Sequence, residues 1–152
     1  MSRAMVGGWR SVAVGCVVAA LLGVRAASAF QFITENEAAL PLNLDPKRGI
    51  TRGPIITVLS PAPGAGLITS PLHFKVKFES RGGAKIDVES TLVTYEKLPA
   101  VDLTQRIRAF VGPNGIDVED AEVPPGTHRI RIDVSDTDGR TGSVDLVFTV
   151  AN

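Results

Sequence analysis

Pro124 to Val150, PPGTHRIRIDVSDTDGRTGSVDLVFTV, decides the fold. In the first arm His128, Ile130, Ile132 and Val134 alternate with Arg129, Arg131, Asp133 and Ser135. In the second arm Val144, Leu146, Phe148 and Val150 alternate with Ser143, Asp145, Val147 and Thr149. Successive strand side chains point to opposite faces, so each arm has an apolar face and a mostly polar one. That pattern predicts an antiparallel sheet with one side on a core and the other in water. Asp136-Thr137-Asp138-Gly139 joins the arms, and Asp first with Gly fourth suits a type I turn with a glycine bulge. Pro124-Pro125-Gly126 starts the hairpin sharply, because proline fixes φ and cannot donate to a ladder.

The rest of the chain reads as a series of short elements of the same kind. Leu72, Phe74, Val76 and Phe78 alternate with His73, Lys75, Lys77 and Glu79, a second amphipathic strand. Ile55 to Leu59 is a β-rich run closed by Pro61 and Pro63, and the proline flanks suit an edge strand. Ile86 to Val88, Thr91 to Tyr95 (with Val93 and Tyr95 facing the core) and Ile116 to Val118 are further short strands. Leu103, Ile107 and Phe110 fall at helical spacing after Asp102, a candidate N-cap, and leave a short helix or a crossing strand open. With 15 Gly and 10 Pro in 152 residues, punctuation is too dense for long helices. About seven strands over about 100 residues predict an all-β, Ig-like antiparallel β-sandwich over residues 54–152.

Two segments precede that domain. Arg3 and Arg10, the apolar run Val12 to Val24 and Ala27-Ser28-Ala29 form an export signal over residues 1–29, cleaved after Ala29. The run is too short to span a membrane, so no span is expected after cleavage. Cys16, the one cysteine, leaves with the signal, as does Trp9. Residues 30–53 read as an extension, mostly irregular. Thr34 and Glu37 match a capping box for one or two helical turns. Pro41 onward, PLNLDPKRGITRGP, is linker-like, and a spacer is preferred over a docking peptide.

Charge narrows the partners. The first 29 residues hold three of the 16 basic residues and no acid, which leaves thirteen basic against 16 acidic residues beyond them. A mildly acidic module has no electrostatic case for nucleic acid or an anionic membrane.

Ile56-Thr57-Val58-Leu59-Ser60-Pro61, the Gly64-Ala65-Gly66 turn, SPLHFKVKFES from Ser70 to Ser80 and the closing hairpin resemble bacterial Ig-like extracytoplasmic modules. Such modules act in adhesion, spacing or binding in the cell envelope. The opening and ending also resemble the copper-resistance protein C family of periplasmic copper carriers, which implies the same sandwich. In that family an N-terminal histidine, an acid and a histidine after an Asp-Gly pair hold copper. Here the matching segment is Asp138-Gly139-Arg140 and the expected mature N-terminus is Phe30. The resemblance therefore supports the fold and argues against carrying over the metal.

Chemistry is sparse. Copper and zinc favour imidazole and thiolate. The mature chain offers only His73, on a polar strand face, and His128, in parity with core residues. Calcium needs oxygen ligands, and the candidates are Asp136 and Asp138 in the turn, with Asp117, Glu119, Asp120 and Glu122 as a second acidic group. Turn geometry alone explains Asp136 and Asp138. No nucleophile elbow, phosphate-cradling loop or cysteine nucleophile is present. With Tyr95 the sole Tyr and no Trp after cleavage, a sugar platform is disfavoured. Lys75, Lys77, Arg129 and Arg131 form one basic patch if their strands are neighbours. The expectation is a periplasmic or secreted, non-catalytic module without cofactor that binds or positions another envelope protein. The alternative is a periplasmic carrier of copper or calcium.

Overall fold

The computed structural model describes residues 29–46 and 52–152; the expected export signal, apart from Ala29, lies outside them. Two five-stranded sheets pack face to face. The strands are β1 (Phe30–Gln31), β2 (Ile55–Ser60), β3 (Leu67–Ile68), β4 (Leu72–Glu79), β5 (Ile86–Tyr95), β6 (Val101–Asp102), β7 (Val111–Gly112), β8 (Gly115–Glu122), β9 (Gly126–Asp136) and β10 (Thr141–Val150). One sheet runs β1-β8-β4-β2, with β7 also on β8. The other runs β3-β10-β9-β5-β6. The order β2-β4-β8 against β10-β9-β5 is the A-B-E against G-F-C arrangement of the Ig fold. Among the described residues no helix is long and apolar enough to cross a membrane.

The closing hairpin forms as the alternation requires. Ser135 faces Thr141 and Gly126 faces Val150. Gly139 takes φ 75° and donates to Asp136 O at 2.9 Å. His128, Ile130, Ile132 and Val134 are buried with Leu146, Phe148 and Val150. Leu72, Phe74, Val76 and Phe78 of β4 complete the core from the other sheet.

Three expectations change. Among the described residues the strands number ten rather than seven, because β1, β3, β6 and β7 are two-residue pieces that no sequence pattern marks. The sheets are not purely antiparallel: β1 runs parallel to β8 and β3 parallel to β10. Ile86–Val88 and Thr91–Tyr95 are one strand, broken in register between Asp87 and Leu92. The open choice after Asp102 resolves as helix Thr104–Ile107 with a 3-10 turn Arg108–Phe110. Its N-cap is Leu103, while Asp102 Oδ1 accepts from the Thr104 N–H at 2.8 Å.

The first residues of the segment read as a spacer pack into the sandwich. Phe32 and Ile33 are buried in the core, and Phe32 lies 4.9 Å from Phe74, ring to ring. The capping box forms on both sides, with Thr34 N to Glu37 Oε2 at 2.9 Å and Glu37 N to Thr34 Oγ1 at 3.3 Å. It starts the helix α1, Glu35–Ala38. Two cations tie that helix down. Arg106 binds Glu37 and the Phe32 carbonyl. Lys97 Nζ donates to Ala38 O and Leu40 O, both at 2.8 Å, where carbonyls at a helix C-terminus lack partners.

Candidate functional site

The outward residues of β2, β4 and β8 form columns across one sheet face. β2 contributes Ile55, Thr57 and Leu59, and β4 contributes His73, Lys75, Lys77 and Glu79. β8 contributes Gly115 and Asp117. Register sets Thr57 beside Lys77, Lys77 beside Gly115 and Lys75 beside Asp117. Beyond β8, Phe110 and Pro113 close the far side. Between these flanks lies a groove of about 500 Å³ lined by Leu59, Lys75, Lys77, Phe110, Pro113 and Gly115. Gly115 lets β8 approach the β4 backbone closely. Its φ is +140°, and a Cβ there would come 1.9 Å from the Val76 carbonyl oxygen.

Charge runs down the middle of this face. Asp117 receives Lys75 Nζ on Oδ2, and His73 Nε2 lies against Oδ1, both at 2.6 Å. Lys75, and then His73, hold the Asp117 carboxyl below its ordinary range. Lys77 bonds Glu79 at 2.8 Å. Each ammonium carries three donors, and one of each is engaged here. Leu59, with 47% of its surface exposed, stands beside them.

The arginines of the opposite sheet face are paired within the chain. Arg129 and Arg131 both bind Asp145, at 3.2 and 3.4 Å, and Arg131 also binds Asp133 at 3.2 Å. Arg129 donates further to Asn43 O. These guanidiniums are mostly covered. The expected basic patch does not form, because Lys75 and Lys77 belong to the other sheet and face the opposite way.

The metal candidates are engaged elsewhere. Asp136 is buried and accepts from Asp138 N, Arg140 N and Arg140 Nε at 3.0, 3.0 and 2.9 Å. Burial opposes its charge, yet these bonds and the guanidinium hold its carboxyl below the ordinary range. Asp138 takes Arg140 Nη2 at 2.8 Å. A guanidinium therefore stands where a cation would sit on this turn. His128 points into the core, where its Nε2 lies 2.8 Å from Pro124 O and its Nδ1 lies 2.8 Å from the Tyr95 hydroxyl. A carbonyl only accepts, so Nε2 carries the hydrogen and Nδ1 accepts from Tyr95. His73 faces out from the other sheet, so the two histidines do not meet. Among the described residues no group of three or more His, Cys, Asp or Glu is placed to hold a metal.

No family model, no curated protein and no solved structure matches this chain. The site therefore rests on its own geometry. Lys75, Lys77, His73 and Asp117 stand out in the sequence as polar-face residues. Leu59, Phe110 and Gly115 do not, because what joins them to the site is strand order across the sheet. The one local signal was the Pro113-Asn114-Gly115 turn, which places a glycine at the start of β8.

Proposed function

We propose that this chain is an exported, non-catalytic Ig-like module that binds a protein partner in the cell envelope through the outer face of β2, β4 and β8. The groove between Leu59 and Phe110 carries the reading. It is the size of a binding cleft, its flanks are apolar, and its charged middle retains free donors. Interfaces gain affinity from such apolar anchors and specificity from charges beside them. The arginines of the other sheet are paired and mostly covered, whereas Lys75 and Lys77 stand exposed beside Leu59. Export is supported by Arg3, Arg10, the apolar run and Ala27-Ser28-Ala29.

The test is a photo-crosslinking residue placed at Leu59, at Lys77 and, as control, at Thr141 on the opposite face. Expected are adducts from positions 59 and 77 in the envelope fraction, with one protein identified in both and none at 141. Equal crosslinking at all three positions, or none at 59 and 77, overturns the docking face. Recovery of the chain with an intact leader from the cytoplasm overturns export.

A further inference from the structure

At the height of Lys75 the lateral order of this face reverses in charge. From β2 outward it runs apolar (Leu59), cationic (Lys75), anionic (Asp117), apolar (Phe110), while Thr57, His73 and the Lys77–Glu79 ion pair stand above and below that row. Such a face is complementary to itself. A two-fold axis lying in the interface, parallel to the strands and between β4 and β8, exchanges the two halves and keeps the height along the strand. Lys75 of one copy then stands over Asp117 of the other, since the two are direct partners in register. Lys77 stands over the partner copy's Gly115. Leu59 and Ile55 meet the partner copy's Phe110 and Pro113.

We infer that the partner of this face is a second copy of the chain, joined as an isologous two-fold dimer through the outer faces of β2, β4 and β8. The inference rests on the docking face proposed above and names its occupant. A two-fold contact requires one self-complementary patch, and the column order supplies it. Lys75 and Asp117 are both accessible, with side chains 42% and 48% exposed, and each retains bonding capacity beyond its intrachain pair. The apolar flanks furnish the affinity, and the crossed lysine and carboxylate columns fix the orientation. Three strands about 4.8 Å apart and eight residues about 3.3 Å each span roughly 400 Å² per copy. A standard interface takes about 800 Å² per partner, so this dimer is concentration-dependent rather than permanent.

The experiment is sedimentation equilibrium of the mature chain over a concentration series, with two single substitutions. Lys75→Glu sets glutamate against the partner copy's Asp117 in both halves of its dimer. Asp117→Lys sets lysine against Lys75 in both halves of its own. Each variant alone should weaken dimerisation by at least about tenfold. An equal mixture of the two should restore it. In the mixed dimer the introduced glutamate faces the introduced lysine, and the unaltered Asp117 of one copy faces the unaltered Lys75 of the other. Both sites are exposed, so each variant should keep the melting temperature of the parent within a few degrees, which is checked in parallel. A parent that stays monomeric throughout, variants that dimerise as the parent does, or a mixture that stays monomeric would each overturn the inference. In any of those outcomes, a different protein crosslinked at positions 59 and 77 still upholds the docking face, and its absence removes both.

Discussion

Arg106 grips Glu37 with two parallel hydrogen bonds, Nη1 to Oε2 at 2.8 Å and Nη2 to Oε1 at 2.6 Å. The pair joins α1, at the front of the chain, to the helix after β6. Its geometry is the bidentate form that makes guanidinium–carboxylate pairs strong. The Arg106 hydrogen bonds, working against burial and helped by Thr34, pull the Glu37 carboxyl from 4.5 down to about 2. A lowered folded-state value means that this stability is present above about pH 4.5 and is lost as pH falls toward about 2. Glu37→Gln should cost about 1–3 kcal/mol at pH 7. Chemical denaturation at pH 7 and at pH 3 checks it, with a smaller difference between parent and variant at the lower pH.

Phe32 tests whether the front segment belongs to the fold. It is fully buried against Phe74 and Phe30. A spacer would tolerate its removal. A core position loses transfer energy and leaves a cavity, so Phe32→Ala should cost about 3–5 kcal/mol. Thermal unfolding of residues 30–152 gives the answer, and a change under about 1 kcal/mol contradicts the packing described.

The strands that carry a period of two over four or more residues were legible, and their faces came out as the alternation implies. Phe74 and Val76 point in while Lys75 and Lys77 point out, and His128 is buried because it shares parity with Ile130. The capping box of Thr34 and Glu37 was legible too, since all its parts lie within four residues. What α1 docks on was not, because Arg106 is 69 positions from Glu37. Phe32 and Ile33 are an apolar pair followed at once by Thr34, Glu35, Asn36 and Glu37, too short to show a period. The site was half visible. Each polar column can be read from its own strand, but that β4 lies between β2 and β8, away from β9, is a matter of sheet order. Whether the lysines and arginines share one patch turned on that order, and they lie on two opposite faces.

His128 should give the fold an acid sensitivity. It is buried, neutral and doubly bonded, and burial pulls its pKa below the ordinary 6.5, an effect that the Pro124 hydrogen bond opposes and Lys97 adds to. The unfolded chain then binds a proton that the folded one refuses, so stability is full above about pH 6.5 and declines as pH falls below it. One such group gives a slope of up to about 1.4 kcal/mol per pH unit. His128→Gln keeps a donor and an acceptor without the titration. Urea unfolding at steps from pH 7.5 to 5 should show a shallower slope for the variant, by at most about one proton. Parallel slopes mean that His128 does not titrate on unfolding in this range.

Gly115 links the fold to the docking face. Its φ of +140° lies where L side chains rarely go, and a Cβ would overlap the Val76 carbonyl oxygen and press on the Lys77 backbone. Alanine there has no rotamer to escape with, so β8 must move off β4 or change its backbone angles. Strain and overlap together should cost about 2–5 kcal/mol. The overlap falls within the β4–β8 ladder, between the flanks that hold Leu59 and Phe110 apart. Gly115→Ala should therefore lower the melting temperature and, among molecules that remain folded, weaken association through this face. Lys75→Glu should weaken association alone. A Gly115→Ala chain that melts with the parent would show that β8 reaches Val76 less closely than described.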